Sequence, residues 1–329
     1  MDILVAMPET DLRATFFPSS LRARLESLGR VSWNSSESNY TEAELRKGIP
    51  DVDVLITGWG SPKVSEDVLA AADSLRLVAH TGGSVAEIVS EAVYDAGILV
   101  VSANDVMADH TAEHALSSLL SHLRSIPSLD ASMHRGDWAN GDATIRTLHD
   151  KSVGLVGLGT IGRKLLDHFS AFDLSVSVYD PYVDDAALAA FQQAELTDLK
   201  TALDSEVVSV HAARTPETIG MLDADRLARI PDGAVFVNTA RAEIVEEAAL
   251  LSELRDGRIS AVLDVYHEEP LPEGHELRDF ENVLLTPHVG GSQIRPPLTR
   301  AVLNDIERYA NGDPLQYEIP QGQWETMTR

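Results

Sequence analysis

Three polar residues stand where chemistry is expected. Arg241 follows the apolar run Ala234-Val-Phe-Val-Asn238-Thr239-Ala240, Glu269 lies in Asp264-Val-Tyr-His-Glu268-Glu269-Pro270, and His288 lies in Thr286-Pro287-His288-Val289-Gly290-Gly291. Each segment leaves a run that reads as a strand, so all three converge at the carboxyl rim of a sheet, where α/β proteins hold their ligands. A guanidinium at that rim suits bidentate contact with a carboxylate. A histidine with a carboxylate available to orient it makes a general acid/base pair. Singly, each residue also has a plain structural reading: Arg241 in a surface ion pair, Glu269 solvated, His288 in a loop.

A fourth segment turns the joint reading toward catalysis. In Val153-Gly-Leu-Val-Gly157-Leu-Gly159-Thr160-Ile161-Gly162-Arg163 an apolar strand runs into Gly-x-Gly-x-x-Gly and then into a helical pattern. The first glycine allows a tight turn, the second lets backbone approach a pyrophosphate, and the third lets helix pack close to strand. A second strand, Leu174-Ser-Val-Ser-Val-Tyr179, ends in Asp180, where an adenosine-ribose ligand belongs. Loop glycines alone could produce the first pattern; the strand and Asp180 after it favour a dinucleotide cradle.

These residues need a frame to hold them. The chain of 329 residues suits two domains, each large enough to bury a core. Short apolar strands alternate with amphipathic helical windows, the pattern of parallel sheets covered on both faces. One series has strands near 3–6, 31–33, 53–57, 76–80 and 98–101, with helical windows near 19–28, 41–47, 65–72 and 84–94. A second has six, near 153–156, 174–179, 206–210, 234–237, 260–265 and 283–286. A long helical window at about 105–124 bridges the two, and a last helix near 293–310 stops at Asn311-Gly312. If that helix packs back on the first series, a Rossmann cofactor domain (104–293) is inserted into a flavodoxin-like substrate domain (1–103 plus 294–329). Capping boxes at Thr41-x-x-Glu44 and Ser84-x-x-Glu87 place two helix starts. The second would aim bare helix amides past Thr81-Gly82-Gly83, a carboxylate site or simply a tight turn.

Composition limits the partners. Net charge is −26, which argues against nucleic acid and against anionic membrane, since both need a positive face. No apolar run approaches the ~20 residues of a membrane helix. The N-terminus lacks a signal-like pattern and there is no cysteine, so a cytoplasmic protein is expected. Lysine occurs only at 47, 63, 151, 164 and 200, and the other 21 of 26 basic residues are arginine. Such a composition resembles proteins of salt-loving microbes, and equally an acidic protein from a GC-rich genome.

In order and spacing, Gly157-Leu-Gly-Thr-Ile-Gly162, Asp180-Pro181, Thr215-Pro216-Glu217-Thr218, Asn238-Thr-Ala-Arg241, Leu263-Asp-Val, Glu268-Glu-Pro270 and Pro287-His288-Val-Gly-Gly291 resemble the D-isomer-specific 2-hydroxyacid dehydrogenases, over about residues 50 to 310. The resemblance implies that Arg241 binds the substrate carboxylate and carbonyl, His288 exchanges the proton, and Glu269 orients His288 and favours its charged form. It implies NAD as cofactor, held by Gly157, Gly159, Thr160, Ile161, Gly162, Asp180, Thr239 and Asp264, with Gly82 and Gly83 in the substrate loop. It also implies a homodimer and no metal. The substrate loop departs from the family pattern: His80-Thr-Gly-Gly-Ser84-Val85 stands in place of Gly-x-Gly-x-Asp-Asn. Arg241 is followed by Ala-Glu-Ile rather than Gly-x-Ile, and His211-Ala-Ala-Arg214 replaces His-x-Pro-x. His211 then reads as a strand-end residue near the cofactor rather than a second base. Only Lys63 and His80 lie near the loops as basic groups, which favours glyoxylate, hydroxypyruvate or a related 2-oxo acid over a phosphorylated one. No regulatory domain is visible after residue 312, so the long form of phosphoglycerate dehydrogenase is not expected.

Two other functions compete. An NAD(H)-sensing interaction protein, like the corepressors on this fold, would keep the cradle without turnover. His110-Thr-Ala-Glu113-His114 fits the inverted zinc-protease pattern His-x-x-Glu-His, a zinc hydrolase that explains far less of the chain.

Overall fold

A computed structural model describes residues 1–138 and 144–329. It divides into two compact units, Met1–Ala108 with Ser292–Arg329, and Asp109–Gly291.

The first unit is built on five parallel strands: β1 (Asp2–Val5), β2 (Arg30–Trp33), β3 (Val54–Thr57), β4 (Leu77–His80) and β5 (Leu99–Ser102). Their order β2-β1-β3-β4-β5 is flavodoxin-like, with the reversal of strand order beside β1. Successive residues feed opposite faces, as the two-residue period of a strand requires. Ile3, Val5, Ile56 and Leu77 join one apolar core, and Leu4, Leu55, Val78 and Val100 the other. Helix Arg295–Asn311 returns to this unit through Leu298, Ala301, Val302 and Ile306 on the first of those cores. Asp305, fully buried on that helix, accepts from the amides of Gln316 (2.8 Å) and Tyr317 (2.7 Å) and so ties down the following tail.

The second unit carries β6 (Lys151–Val156), β7 (Leu174–Tyr179), β8 (Ala194–Leu196), β9 (Val207–Val210), β10 (Val235–Asn238), β11 (Ser260–Leu263) and β12 (Val283–Leu285). The order β12-β11-β10-β9-β6-β7-β8 is the dinucleotide-binding pattern, with reversal between β6 and β9. Sequence reading gives six strands here, and the seventh is β8. It is three residues long, only half-buried and at the sheet edge, so its Ala-Glu-Leu carries no periodic signal.

Strand register sets the functional edge. Val156 pairs with Tyr179 and Val210, Val210 with Asn238, Asn238 with Leu263, and Leu263 with Leu285. The next residue of each strand therefore emerges in one row along the carboxyl edge: Asp180, Gly157, His211, Thr239, Asp264 and Thr286.

The Thr41 capping box forms in both halves. The Ser84 box does not, and no helix starts there. The Ser84 hydroxyl donates to the Thr328 carbonyl (2.7 Å) and accepts from the Ala86 amide (3.2 Å). Buried Val85, Ile88 and Val89 are drawn into the core as a turn, and the helix begins only at Glu91. Packing of three β-branched side chains outweighs the local cap.

Candidate active site

The glycine loop divides its three glycines by purpose. Gly157 has φ +99°, and a β-carbon there would lie 2.5 Å from the Ala212 nitrogen. A β-carbon on Gly162 would lie 2.3 Å from the Gly157 carbonyl oxygen. These two are required by the fold itself. At Gly159 a β-carbon would meet nothing within 4 Å, so the fold alone gives no reason for glycine there. Open space beside an uncapped helix start, Thr160–Phe169, is what a bound phosphate would fill. Ile161 packs against the core beneath that first turn.

Asp180 is half-buried and faces the same loop. Its carboxylate accepts from the Leu158 amide (2.7 Å) and the Tyr182 amide (2.9 Å). Farther along the row, Thr239 Oγ1 and His211 Nδ1 are both buried with no hydrogen-bond partner among the described residues. Buried polar atoms are seldom left unpaired without a ligand or water to meet them. The donor set, amides and hydroxyls at a helix start with one acid beyond, fits a dinucleotide. Burial holds the His211 ring down to about 4, and its Nε2 lies 2.7 Å from Ser209 Oγ, so the ring is neutral and internally engaged.

At the other end of the row His288 Nδ1 meets Glu269 Oε2 at 2.6 Å. Glu269 Oε1 in turn accepts from the Tyr266 amide at 3.0 Å, which fixes the carboxylate plane. Both side chains are partly exposed, at 42% and 37%, so the ring remains reachable from solvent. His288 has φ +51°, a left-handed conformation costing roughly 1 kcal/mol for a residue with a side chain. A cavity of about 660 Å³ opens beside the pair, lined by Tyr266, Pro270, Leu271, Leu285 and Pro287.

The strained loop is held from below by Asp264. Its Oδ1 accepts from Thr286 Oγ1 (2.6 Å) and the Val289 amide (3.0 Å), and its Oδ2 accepts from the Gly290 amide (2.9 Å). Burial alone would raise the Asp264 carboxyl, but hydrogen bonds from His114, Thr286, Val289 and Gly290 outweigh it and hold the carboxyl below its ordinary range. Tyr266 adds a strut, its hydroxyl donating to the carbonyls of Thr286 (2.8 Å) and Leu263 (3.1 Å). Thr286, Tyr266 and His114 were not singled out for this part by sequence. The only signal was the threonine two places before His288.

Arg241 is presented by an Asn turn. Asn238 closes β10, its Oδ1 accepting from the Ala240 amide (3.0 Å) and its Nδ2 donating to the Arg241 carbonyl (2.9 Å). Arg241 Nη1 donates to the Ala240 carbonyl at 2.7 Å.

In the first unit Gly82 and Gly83 follow β4. Ser102 Oγ donates to both their carbonyls, at 2.9 and 2.5 Å, while their amides have no partner among the described residues. A β-carbon on Gly82 would lie 2.5 Å from His80 Nε2 and 2.9 Å from Trp59 Nε1. His80 is buried against Thr57 Oγ1 (3.0 Å), and burial holds its ring down to about 4, so it offers no cation.

The zinc motif does not assemble. His114 Nε2 lies 3.1 Å from Thr286 Oγ1 and Glu113 is exposed. Among the described residues no group of three His, Cys, Asp or Glu side chains could hold a metal. Among the same residues no helix is long and apolar enough to cross a membrane.

Comparison with known proteins agrees with this layout. Residues 116–290 match the profile described as D-isomer specific 2-hydroxyacid dehydrogenase, NAD binding domain. A D-3-phosphoglycerate dehydrogenase of Archaeoglobus fulgidus is 32% identical over 287 residues, covering 86% of this chain and 54% of that protein. Its counterpart from Mycobacterium tuberculosis is 36% identical over 252 residues, covering 76% and 47%. The chain thus spans about half the length of the curated relatives it matches. A solved phosphoglycerate oxidoreductase from Rhizobium etli superposes with a TM-score of 0.79 at 26% identity, covering 98% of this chain and 99% of that one.

Proposed function

The chain belongs to the D-isomer-specific 2-hydroxyacid dehydrogenase family, and from that premise we propose that it interconverts a small 2-oxo acid and its D-2-hydroxy acid with NAD(H). The contact that carries this reading is His288 Nδ1 to Glu269 Oε2, set in one row with the glycine loop, Thr239 and Asp264. With Nδ1 facing the Glu269 carboxylate, Nε2 is the nitrogen that would exchange the proton with the substrate. When bound, NADH supplies the hydride to the carbonyl carbon. His288 as an imidazolium gives its Nε2 proton to the carbonyl oxygen, and in the reverse direction the neutral ring takes it back. Arg241 holds the carboxylate and fixes the distance of attack.

Cofactor contacts are proposed at Gly157, Gly159, Thr160, Ile161 and Gly162 for the pyrophosphate, Asp180 for the adenosine ribose, and Thr239 and Asp264 nearer the nicotinamide. Asp180 favours NAD over NADP, because a carboxylate accepts from a ribose hydroxyl and repels a 2′-phosphate. Gly82 and Gly83 are proposed as the substrate loop, a role supported by two amides without partners among the described residues and two carbonyls held back by Ser102.

Two substrates compete. The names of the curated relatives favour a phosphorylated three-carbon acid. The loops after β3 and β4 favour glyoxylate or hydroxypyruvate: Lys63 is exposed and His80 is neutral, so neither loop holds a buried cation for a phosphate. The acidic, cysteine-free composition supports a cytoplasmic protein. A homodimer is supported by exposed Ile126 (53%), Met133 (53%) and Trp138 (82%) on and after helix Ile126–His134, and light scattering would measure it.

Rates with glyoxylate, hydroxypyruvate, phosphohydroxypyruvate and pyruvate, each with NADH and NADPH, test the proposal. Turnover with one 2-oxo acid, better with NADH, is expected. NADH binding without turnover of any of them would replace it with the NAD(H)-sensing interaction protein.

A further inference from the structure

We propose that His114 is a positioning residue for His288, acting through the Thr286–Asp264 pair that pins the 286–290 loop. The inference rests on the role proposed above for His288.

His114 lies on helix Asn104–Leu123, three-quarters or more buried, on a different element from every residue of the loop. Its Nε2 is 3.1 Å from Thr286 Oγ1 and 3.5 Å from Asp264 Oδ1. The direction of donation follows from proton count. The Thr286 hydroxyl has one proton and gives it to Asp264 Oδ1 at 2.6 Å, and the Asp264 carboxylate has none to give. The third neighbour of Nε2, Ser118 Oγ, stands at 3.5 Å, the limit of a hydrogen bond, so the closer oxygens assign the hydrogen to Nε2, and Thr286 Oγ1 accepts it while donating onward. The His114 ring also packs against the turn: a β-carbon at Gly290 would lie 3.3 Å from His114 Cδ2 and 3.0 Å from Asp264 Oδ2.

This arrangement bears on chemistry rather than on the fold alone. Thr286 and Val289 flank His288, and the His288 backbone is in the left-handed region. Such a conformation persists only where its surroundings over-determine it. Loosening the Thr286 end lets the backbone relax and moves the ring from Glu269, and a displacement of about 1 Å can cost on the order of 10²-fold in rate. The glycine loop and Asp180 lie at the far end of the same sheet edge and share no hydrogen bond with His114 among the described residues. Asp264, the one proposed cofactor contact beside His114, keeps its bonds from the Val289 and Gly290 amides, so cofactor affinity should change far less than kcat.

The test measures kcat for 2-oxo acid reduction, the NADH dissociation constant by fluorescence in protein alone, and melting temperature. His114→Ala should lower kcat about 10- to 100-fold with the NADH dissociation constant within about twofold of the parent. His114→Gln, which keeps an N–H near Nε2, should recover most of the loss. Thr286→Val should reproduce the defect, Thr286→Ser should not, and the His114→Ala/Thr286→Val double variant should be no worse than the poorer single one, because both cut one chain of contacts. If His114→Ala fails to fold, the Thr286 pair and His114→Gln still decide. Parental kcat in His114→Ala, or parallel loss of NADH binding and kcat without rescue by Gln, overturns the proposal and leaves the enzyme reading intact. A parent protein inactive on every 2-oxo acid defeats both.

Discussion

His288 and Glu269 meet at 2.6 Å although they leave different strands, and each is fixed by its own device. The Tyr266 amide holds the Glu269 carboxylate, and Asp264 holds the Thr286 hydroxyl before His288 and the Val289 amide after it. The pair is thus preorganised in the protein by itself, which is what a proton-transfer role requires if little reorganisation is left for the reaction.

Replacing either member should separate chemistry from binding. His288→Gln should lower kcat by about 10²–10⁴-fold, the usual worth of acid–base assistance, with NADH affinity nearly unchanged. Glu269→Gln should cost less, since it removes the orienting charge and leaves the ring. Steady-state kinetics beside NADH fluorescence titration would show it. Near-parental kcat in His288→Gln would remove the histidine from the reaction.

The three glycines of the cradle should respond differently to alanine. Gly157→Ala meets both a positive φ and the Ala212 backbone at 2.5 Å, so it should destabilise by more than about 1 kcal/mol. Gly159→Ala enters open space and should leave stability within about 0.5 kcal/mol, while weakening NADH by about tenfold, or ~1.4 kcal/mol. Urea unfolding and NADH titration on both variants check this. NADH affinity untouched in Gly159→Ala would mean that nothing approaches the loop at that point.

Much of this architecture is legible in the residues because its signals are local. Each buried parallel strand is an apolar run, and the glycine fingerprint marks the turn after β6. Where the forces are tertiary, the reading misses. Ser84 looks like a cap, but its hydroxyl is bonded to the Thr328 carbonyl, 244 positions away. β8 exists because β7 offers it an edge, not because Ala-Glu-Leu prefers a strand. His114 fits a metal motif by spacing, yet the acid that it faces, Asp264, is 150 residues on, and only the folded sheet brings the two within reach.

Burial of His80 and His211 makes stability depend on pH in a defined window. Both rings are held to about 4 in the fold, against about 6.5 in an unfolded chain. Between those values the unfolded state binds the extra protons, so stability is full above pH 6.5 and declines as pH falls toward 4. The limit is roughly 3 kcal/mol per ring, at about 1.4 kcal/mol per pH unit. Acid also relieves repulsion among carboxylates, so the informative measurement is a difference. His211→Gln should show a shallower decline than the parent in urea unfolding from pH 7 to 4.5. Identical slopes would mean that the His211 ring takes up its proton as readily in the fold as in the unfolded chain.

The charge of −26 should make the protein respond to salt. Raising KCl from about 0.1 M to 1 M shortens the Debye length from roughly 10 Å to 3 Å, which screens repulsion among surface carboxylates while leaving short buried contacts such as Asp264 with the Val289 and Gly290 amides intact. If the composition is an adaptation to salt, melting temperature should climb steadily over that range and NADH-dependent turnover should peak at molar KCl. An acidic protein shaped only by genome composition would gain little and keep full activity in dilute buffer. Thermal melting and NADH oxidation rate against KCl at fixed pH separate the two. A flat melting curve with activity greatest at low salt would leave arginine in place of lysine as a mark of codon usage, without bearing on the environment in which the protein works.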